Sequence, residues 1–550
     1  MNFIELFAGC GGLSLGLKSV GFDLVMANEL SPMAAESYAY NFLDEDIEAL
    51  ARQRAPTALK TLWLGSRYPK DELARRRRED PRAYPSYKKG HGELDPDGSN
   101  LEGSLVVGSI TELNKWLGDH GEVVARLRTA FGKGDLDLVS GGPPCQSFSL
   151  AGLRQRDCEK NTLPWEFAKF TESTQPKFVL LENVTGILKP FKVGSGDKFY
   201  AWFELATAFA GIGYYPLCLH VNAKYAGVAQ NRQRFILIGV REDVYEELRS
   251  QFNACERELF RKVELFFESV RNREKVEVAA LHCWDVENAN DASLFAGSFL
   301  SPLVTYLGRK LVSAREAIDD IRWNSAHGYD DRHRDEYSRR LEEVFSGVLG
   351  ACKGRLQNHD LRNNSDLVQR RFYLYQVLSQ IENQDVRRNV VAILNGRSDV
   401  LSEETWCSLR EFKFLRESGE QKRFRGKEDL LAFLERHRTK KQTQKALAAG
   451  LPAPATVSIP DDACHYDELR TLTVRELARL QSFPDRFVFR SKITTGGNLR
   501  SFEVPQYTQV GNAVPPLLGS ALGEAIQDLL QRLKTGRRGL RAEAVKLLAA

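Results

Sequence analysis

Short apolar runs, separated by stretches with helical spacing, recur through the first 240 residues of the chain. Runs of this kind are typical of buried strands in a parallel sheet that is covered on both faces. The predicted strands are residues 3–7, 22–27, 136–140, 178–181 and 234–239. The pattern therefore predicts an α/β fold with a doubly wound, mostly parallel sheet and helices packed against it.

The pattern changes after residue 240, where charged amphipathic segments without the strand-turn-helix rhythm continue to about residue 460. We interpret residues 243–464 as a second, smaller domain. Residues 472–481 then predict an amphipathic helix that ends at Ser482-Phe483-Pro484. A final helix is predicted from Pro515-Pro516 to about residue 533.

The length of 550 residues is too great for one hydrophobic core, so at least two lobes are expected. No apolar run approaches the roughly 18 residues of a membrane span, and we expect no membrane association. Met1-Asn2 leads directly into the first predicted strand without a basic and apolar leader, which argues against secretion.

Charge and cysteine content add little by themselves. The net charge of +4 is small, but basic residues cluster at 75–78, within 422–445 and at 537–538. The nine cysteines are scattered without a Cys-x-x-Cys pair, so neither a disulfide framework nor a zinc site is indicated. The charged, proline-containing stretch 44–100 interrupts the strand pattern, and we interpret it as an insertion.

A glycine-rich turn, Gly9-Cys10-Gly11-Gly12, separates the first predicted strand from a helix. Small residues there let a ligand approach the backbone and the free N–H groups of the helix start. Alone, the turn is explained as well by tight local geometry. Glu29 ends the next strand, where a carboxylate can accept hydrogen bonds from both ribose hydroxyls, and the pair favours a nucleoside cofactor.

Cys145 follows Pro143-Pro144 just after the strand that ends near Ser140, at the sheet edge where α/β proteins bind ligands. A buried apolar cysteine is the common alternative, but this turn is a poor core element. Glu182 follows the next strand, and for it a structural ion pair is an equally good explanation. Together a thiol nucleophile and a carboxyl acid can attack an aromatic pyrimidine ring.

The stretch from Gln230 to Arg234 precedes another strand and places Arg232 and Arg234 on one side of an extended segment. Such alternation often marks only a solvated face. Beside a nucleotide, paired guanidinium groups would bind phosphate or a base carbonyl.

Taken in order, these stretches resemble the blocks of the cytosine-C5 DNA methyltransferase family, over roughly residues 1–43, 101–242 and 465–530. The matching blocks are residues 7–13, Glu29, 142–147, 182–184, 230–234, 475–484 and 509–516. Two departures are Ser109, where the family has an acid beside the cofactor adenine, and Ala229, where it has proline.

The resemblance implies a Rossmann-like class I methyltransferase fold and transfer of a methyl group from S-adenosyl-L-methionine, which leaves as S-adenosyl-L-homocysteine. Cys145 would add to C6 of a cytosine flipped from the duplex, and Glu182 would support protonation at N3. Arg232 would hold the base or an adjoining phosphate, with Arg234 as a further catalytic residue. Residues 146–149 would form the loop that closes over the base.

Binding residues are carried over from the same blocks, and no metal is implied. The cofactor residues would be Phe7, Gly9, Gly11, Gly12, Leu13, Glu29, Leu30, Ser109, Ile110, Asn512 and Val514, and the DNA or base contacts Pro144, Gln146, Ser147 and Thr456.

By this likeness, residues 1–242 form the catalytic domain, 243–464 the target recognition domain, 465–535 a segment returning to the catalytic domain, and 536–550 a basic tail. The stretch around Asn358-His359-Asp360 resembles the start of some recognition domains, although an ordinary charged helix explains it equally well. The insertion is either a disordered surface loop or an extra DNA clamp.

The expected partner is double-stranded DNA, with a cognate restriction endonuclease in the same bacterial system. The protein is expected to be a monomer, cytoplasmic and nucleoid-associated. Two alternatives stay open: a transfer-RNA cytosine-C5 methyltransferase, against which the large second domain argues, and a DNA-binding protein that has lost catalysis.

Overall fold

The structure is a computed structural model that describes residues 1–53, 59–144, 162–193, 197–323, 334–350, 356–441, 443–455 and 461–548. For residues 191–193, 197 and 537–548 it describes the backbone alone. In the described part of the chain, no helix combines the length and apolar character needed to cross a membrane.

The strands, in chain order, are β1 Asn2–Leu6, β2 Asp23–Glu29, β3 Thr61–Trp63, β4 Ser104–Val107, β5 Leu138–Gly141, β6 Phe178–Val184, β7 Phe191–Val193, β8 Asp197–Phe199, β9 Tyr214–Asn222, β10 Gln230–Asn231, β11 Gln233–Arg241, β12 Cys283–Asp285, β13 Phe414–Leu415, β14 Gln421–Lys422, β15 Lys445–Ala446, β16 Ala453–Pro454 and β17 Ala463–Cys464.

The helices are α1 Gly12–Ser19, α2 Pro32–Phe42, α3 Ile47–Gln53, α4 Leu73–Arg76, α5 Ile110–Asp119, α6 Gly121–Arg128, α7 Leu163–Thr174, α8 Ala201–Gly211, α9 Glu242–Arg249, α10 Ala254–Arg271, α11 Ala289–Ala296, α12 Ala314–Ile318, α13 Glu336–Val344, α14 Asp366–Ser379, α15 Gln384–Leu394, α16 Glu403–Leu409, α17 Lys427–Arg436, α18 Val474–Leu480, α19 Gln506–Asn512 and α20 Pro516–Leu548.

Nine of the described strands form one sheet, in the order β12-β9-β11-β6-β5-β1-β2-β4-β3. Neighbours run parallel except at β11, which is antiparallel to both β6 and β9. The predicted doubly wound, mostly parallel α/β sheet is confirmed. The direction of the strand predicted at 234–239 could not be foreseen, because an apolar run has the same pattern in either direction.

The sheet is buried because its strands carry apolar side chains on both faces. Every residue of β1 is buried, and β6 is buried along all but its last residue. The long C-terminal helix α20 packs on α1, and glycine is required at their crossing. A Cβ on Gly16 would lie 2.5 Å from the carbonyl oxygen of Pro516, so the two backbones touch.

Helix α18 lies within the helix predicted at residues 472–481, and its polar positions are buried together with its apolar ones. All seven of its residues are buried, including Arg475, Glu476 and Arg479. Arg479 donates from Nε and Nη2 to the two carboxylate oxygens of Asp485, at 2.8 and 2.7 Å. Its polar positions therefore form internal ion pairs, which periodicity alone cannot distinguish from a solvated face.

These ion pairs hold their carboxyl groups ionised. Burial by itself raises the pKa of Asp485, but the charge of Arg479 and its hydrogen bonds outweigh that effect and lower the pKa from 3.8 to about 2. Glu476 behaves in the same way beside Arg470, which lowers its pKa from 4.5 to about 2 against the opposing effect of burial.

Replacing Asp485 with Asn is expected to destabilise the protein by about 3 kcal/mol near neutral pH, since it takes a carboxylate from a buried guanidinium. Because the folded-state pKa of Asp485 lies below its ordinary value, the wild-type advantage is complete above about pH 5 and is lost as the pH falls towards 2. The stability gap between wild type and variant should narrow by about 2 kcal/mol over that range.

Urea unfolding followed by circular dichroism at stepped pH measures the gap. Asp385→Asn is the matched control, because Asp385 pairs with Arg388 on the surface, where both side chains are exposed. Its gap should stay within about 0.5 kcal/mol at every pH. A gap for Asp485→Asn that does not change with pH would contradict the prediction.

Hydrophobic packing with the sheet continues past residue 242, while the predicted domain boundaries stay predictions. Residues from Val244 to Leu349 contribute to the same hydrophobic core as the sheet. β12 also lies in this part of the chain and extends the sheet beside β9. A separate hydrophobic core is built from residues between Phe372 and Cys464. Charged residues on α9 and α10 dominate the sequence pattern there, although each helix also has an apolar face that packs in the first core.

The predicted insertion at 44–100 is folded in its described residues, 44–53 and 59–100. Its strand β3 pairs in parallel with β4 and becomes the edge of the central sheet. Within the basic run, Arg76 is only 1% exposed and lies 2.9 Å from Glu93, while Arg77 and Arg78 pair with Glu36. These three arginines are held in ion pairs, although Arg78 itself is exposed, which argues against a disordered loop.

Candidate active site

The glycine-rich turn between β1 and α1 adopts a left-handed backbone that leaves space above it. Phe7, Gly9 and Gly11 have φ angles of 56°, 57° and 95°. A Cβ added at Gly9 would meet none of the described atoms within 4 Å. At Gly11 it would lie 2.2 Å from the ring of Phe42. The turn is tightly packed below and open at Gly9, as a ligand-binding backbone requires.

The start of α1 is held against the C-terminal segment. A Cβ on Gly12 would lie 2.3 Å from the carbonyl oxygen of Val514, so no larger residue fits there. Leu13 is buried, and Val514 is 8% exposed. Two groups of predicted cofactor residues, from opposite ends of the chain, therefore lie together.

Glu29 is held by backbone donors at the end of β2. Its Oε2 accepts from the N–H of Gly9 at 2.8 Å and its Oε1 accepts from the N–H of Ser31 at 2.7 Å. Each oxygen has a further lone pair for an incoming hydroxyl. Burial raises the pKa of Glu29, while these backbone N–H groups oppose the shift. Both oxygens can therefore accept further hydrogen bonds, and the predicted ribose contact of Glu29 stays a prediction.

A buried acid below the turn was not foreseen as part of the site. Glu5 in β1 is 2% exposed and accepts a short hydrogen bond from Ser14, whose hydroxyl also lies 2.9 Å from that of Tyr38. Burial raises the pKa of Glu5 to about 8. An acid in the middle of an apolar strand was the signal available in the sequence, and its network ties β1 to α1 and α2.

The remaining predicted cofactor residues lie along the same sheet edge. Ser109 precedes the first residue of α5, and Ile110 is buried just inside it. Asn28 donates from its amide to the carbonyls of Val106 and Gly108 at 3.0 Å each, which places the ends of β2 and β4 side by side. Leu30, after β2, and Asn512, at the end of α19, are exposed.

The predicted catalytic acid forms an ion pair. Glu182 in β6 is 8% exposed, and its Oε1 lies 2.6 Å from Nε of Arg234 in β11. These strands are neighbours, with Arg234 opposite Val184. Burial lowers the pKa of Arg234, and the charge of Glu182 opposes that shift. The structure thus brings together an acid and a cation that the sequence placed on separate blocks.

Arg232, predicted to hold the base or an adjoining phosphate, contacts the C-terminal segment, and its predicted role stays a prediction. It is 2% exposed, and its Nη2 donates to the carbonyl oxygens of Gly511 and Ala513 at 2.8 and 3.1 Å. Burial lowers its pKa well below the ordinary value, and nearby Arg234 adds to the shift. Arg232 thus contacts the C-terminal segment, whereas Arg234 lies against Glu182.

The chain leading to the predicted nucleophile lies beside the acid. The amide of Asn183 donates to the carbonyl of Pro143 at 3.1 Å, and a Cβ on Gly142 would lie 2.9 Å from Oε2 of Glu182. Pro144 is exposed. Cys145, Gln146 and Ser147 lie outside the described residues, so their predicted roles stay predictions. Asn183 was matched within the acid block without a role, and it holds this turn.

Residues 453–454, which lie between segments of the second core in the chain but pack with the first, reach the site as a short strand. β10 and β16 run parallel, with Gln230 opposite Ala453 and Asn231 opposite Pro454. The N–H of Ala453 also donates to the carbonyl of Ala229 at 2.9 Å. Thr456, predicted to contact DNA, lies outside the described residues, two positions beyond this pair.

One cluster of potential metal ligands lies elsewhere, where the second core meets α18. His465, Glu468 and Glu476 come together there, all buried. The guanidinium of Arg470 lies between the two carboxylates, 2.6 Å from Glu476 Oε1 and 2.8 Å from Glu468 Oε2. The arginine supplies the positive charge that this cluster requires, and we assign it a structural role.

The two halves of the site share the carboxyl edge of the sheet. On one side, an open glycine turn and Glu29 fit a nucleoside, and on the other, Glu182 and Arg234 offer an acid and a cation beside the turn before residue 145. A doubly wound sheet with this arrangement defines the protein as an enzyme of the class I methyltransferase fold.

Comparison with known proteins identifies the family. The family model for C-5 cytosine-specific DNA methylases matches residues 1–62 and 110–528, and the chain belongs to this family of DNA cytosine methyltransferases. The unmatched residues 63–109 contain most of the insertion and Ser109, the position where the expected acid was missing.

Similar proteins cover nearly the whole chain. Type II methyltransferase M.DdeI of Desulfomicrobium norvegicum is 25% identical over 96% of this chain and 88% of its own length. Type II methyltransferase M1.HphI of Haemophilus parahaemolyticus is 24% identical, with 96% and 86% covered. The crystal structure of a prophage-encoded E. coli protein assigned to DNA modification methyltransferases has 17% identity and a TM-score of 0.48, with 96% and 99% covered.

Proposed function

We propose that the protein transfers a methyl group from S-adenosyl-L-methionine to carbon 5 of a flipped cytosine within a specific double-stranded DNA sequence. The observation that carries this proposal is the Glu182–Arg234 pair beside the turn that precedes Cys145, at the same sheet edge as Glu29. Family membership supplies the reaction class.

The cofactor residues present fit S-adenosyl-L-methionine, which would supply an electrophilic methyl group. Glu29 would accept the ribose hydroxyls, and the open backbone at Gly9 would lie along the cofactor. Ile110 and Leu30 would flank the adenine, and Asn512 and Val514 would close the pocket from the C-terminal side. The left-handed turn at Phe7 to Gly11 would maintain this shape before binding.

The pyrimidine would be activated by residues on the other side of the edge. The Cys145 thiolate would add to C6, and Glu182 would support protonation at N3, which makes carbon 5 nucleophilic. Loss of the C5 proton and of the cysteine would restore the ring. Arg234 would orient Glu182 and share contact with the base, while Arg232 would hold the C-terminal segment at Gly511 and Ala513.

Sequence recognition is proposed for the second core, residues 372–464, which joins the site through β16 beside β10. Pro144, Gln146, Ser147 and Thr456 would contact the flipped base or the DNA backbone.

Because several relatives are named type II methyltransferases, we propose that a monomer protects bacterial cytoplasmic DNA from a cognate restriction endonuclease.

Incubating the purified protein with methyl-labelled S-adenosyl-L-methionine and either duplex DNA or transfer RNA tests the proposal. Label is expected in DNA alone, at carbon 5 of cytosine after digestion to nucleosides. Label found only in transfer RNA would show that the substrate is transfer RNA rather than DNA, with the same methyl-transfer chemistry. Bisulfite sequencing of DNA from expressing cells would then identify the recognised sequence, and protection of that DNA from endonucleases of matching specificity tests the biological role.

A further inference from the structure

The part of the chain that the family model leaves unmatched is a structured unit beside the cofactor residues. We name residues 61–93 the insertion unit; it begins with β3 and returns towards β4. Its interior combines apolar side chains, such as Trp63 and Leu64, with the buried Arg76. Arg76 donates to the carbonyls of Tyr68 and His91 at 2.9 and 3.1 Å and lies 2.9 Å from Glu93. The unit therefore has its own fixed shape.

The insertion unit forms ion pairs with α2, the helix that follows Glu29. Arg77 donates from Nε and Nη2 to the two carboxylate oxygens of Glu36, at 2.8 and 3.2 Å. Arg78 donates to the same carboxylate at 2.8 Å. Glu36 is only 2% exposed, so two guanidinium groups converge on one buried carboxylate. Bidentate pairing of this kind fixes orientation as well as distance.

The same unit also contacts the chain around Ser109. The N–H of Leu64 donates to the carbonyl of Val107 at 2.9 Å, and a Cβ on Gly108 would lie 2.8 Å from the Leu64 Cβ. Further along, the N–H of Tyr87 donates to the carboxylate of Glu112 on α5 at 3.3 Å. The position that lacks the expected acid is thus covered on one side by the insertion unit.

A third contact reaches the C-terminal segment that leads into α19. Arg78 donates to the hydroxyl of Ser491 at 2.8 Å, and Arg82 donates to the hydroxyl of Ser501 at 2.9 Å. The guanidinium of Arg82 also lies over the ring of Phe502, 4.5 Å from its centre. Asn512 and Val514 follow this segment.

The insertion unit contacts three segments, and each carries or leads to a proposed adenosine contact. These contacts are Leu30 before α2, Ile110 at the start of α5, and Asn512 after residues 490–502. We propose that the insertion unit secures the adenosine end of the cofactor pocket, with Arg77 and Arg78 as positioning residues acting through Glu36. The inference rests on the proposed cofactor site.

The test compares two single variants within one arginine run. Arg77→Ala is expected to weaken binding of S-adenosyl-L-homocysteine, measured by calorimetry without DNA, about tenfold or more, because it leaves Glu36 without its bidentate partner. Arg75→Ala is the matched control, since Arg75 is exposed and pairs with neighbouring Glu72. The control should stay within about twofold of wild type.

Kinetics separate positioning from general loss of structure. For Arg77→Ala, KM for S-adenosyl-L-methionine should rise with the dissociation constant, while kcat at saturating cofactor stays within about threefold. Arg77→Lys should restore part of the affinity. The effects of Glu36→Gln and Arg77→Ala should be non-additive in the double variant, because both act through one ion pair. A lower melting temperature with unchanged cofactor affinity would overturn the inference.

The alternative of a DNA clamp gives a different result. If the basic run binds phosphate, Arg77→Ala would leave cofactor affinity intact and reduce the salt dependence of DNA binding, and this outcome rejects our inference. Failure of the inference is distinguishable from failure of the proposed function. Wild-type protein that binds no S-adenosyl-L-homocysteine contradicts the function, whereas equal binding by wild type and Arg77→Ala contradicts the inference alone.

Discussion

Replacing Cys145 with Ser is expected to reduce methyl transfer by at least about 10⁴-fold while DNA affinity changes by no more than about tenfold. A serine hydroxyl is a much weaker nucleophile than a thiolate, so addition to C6 would fail. Binding of the duplex depends on the phosphate and base contacts of the whole protein, which the substitution leaves in place. Single-turnover kinetics and a gel-shift titration on the same DNA measure the two quantities.

DNA that carries 5-fluorocytosine at the target position makes the same prediction visible. After methyl transfer, fluorine cannot leave carbon 5 as a cation, so the covalent bond from the cysteine persists. Wild type should give an adduct stable to denaturing gels, and Cys145→Ser should give none. Cys407→Ser is the matched control, since Cys407 is exposed, and it should form the adduct normally. Failure of wild type to form any adduct would favour the binding-only alternative.

The second large effect is expected at the ion pair between Glu182 and Arg234. Glu182→Gln should lower kcat by about 10²–10⁴-fold, because an amide cannot deliver a proton to N3 of the base. Arg234→Ala should also lower kcat strongly, since it leaves the nearly buried Glu182 carboxylate without its partner at 2.6 Å. Rapid-quench assays at saturating DNA and cofactor measure the chemical step.

Two comparisons make this prediction specific. Arg234→Lys should recover part of the activity that Arg234→Ala loses, because a cation still faces Glu182. Recovery should be incomplete, because lysine lacks the planar geometry of the guanidinium group. Glu172→Gln, at an exposed acid on α7, should retain wild-type kcat. Full activity in Glu182→Gln would show that the carboxyl group takes no part in the proposed chemistry. Glu182 would then have only the structural ion-pairing role that the sequence equally allowed.

Local features of the sequence predicted the part of the site that depends on one strand and the turn after it. Gly9 to Gly12 and Glu29 are near one another along the chain, so their meeting at the sheet edge follows from a single βαβ unit. Arg232 and Arg234 are two positions apart, yet the contact of Arg232 with Gly511 and Ala513 joins segments far apart along the chain. No local pattern records such a contact.

The arginines of α18 and of the insertion unit show the same limit. The sequence around Arg479 and Arg77 is typical of solvent-exposed positions. In the structure, Arg479 pairs with the buried carboxylate of Asp485, and Arg77 pairs with that of Glu36. A charge is tolerated inside a protein only when a partner lies at the right distance. That partner is supplied by tertiary packing, so periodicity predicted the helix at 472–481 but not the burial of its polar face.

The sequence by itself determined the α/β class, the strands nearest the N-terminus, the order of the family's blocks and the identity of the candidate nucleophile and acid, because these reside in short runs and fixed residue types. Only the tertiary structure decided the antiparallel direction of β11, the extent of the first core beyond residue 242, and the pairing of Glu182 with Arg234. It also decided that residues 61–93 fold against α2, α5 and the C-terminal segment. These outcomes depend on contacts between residues far apart in the chain, whose energies arise only when the segments meet.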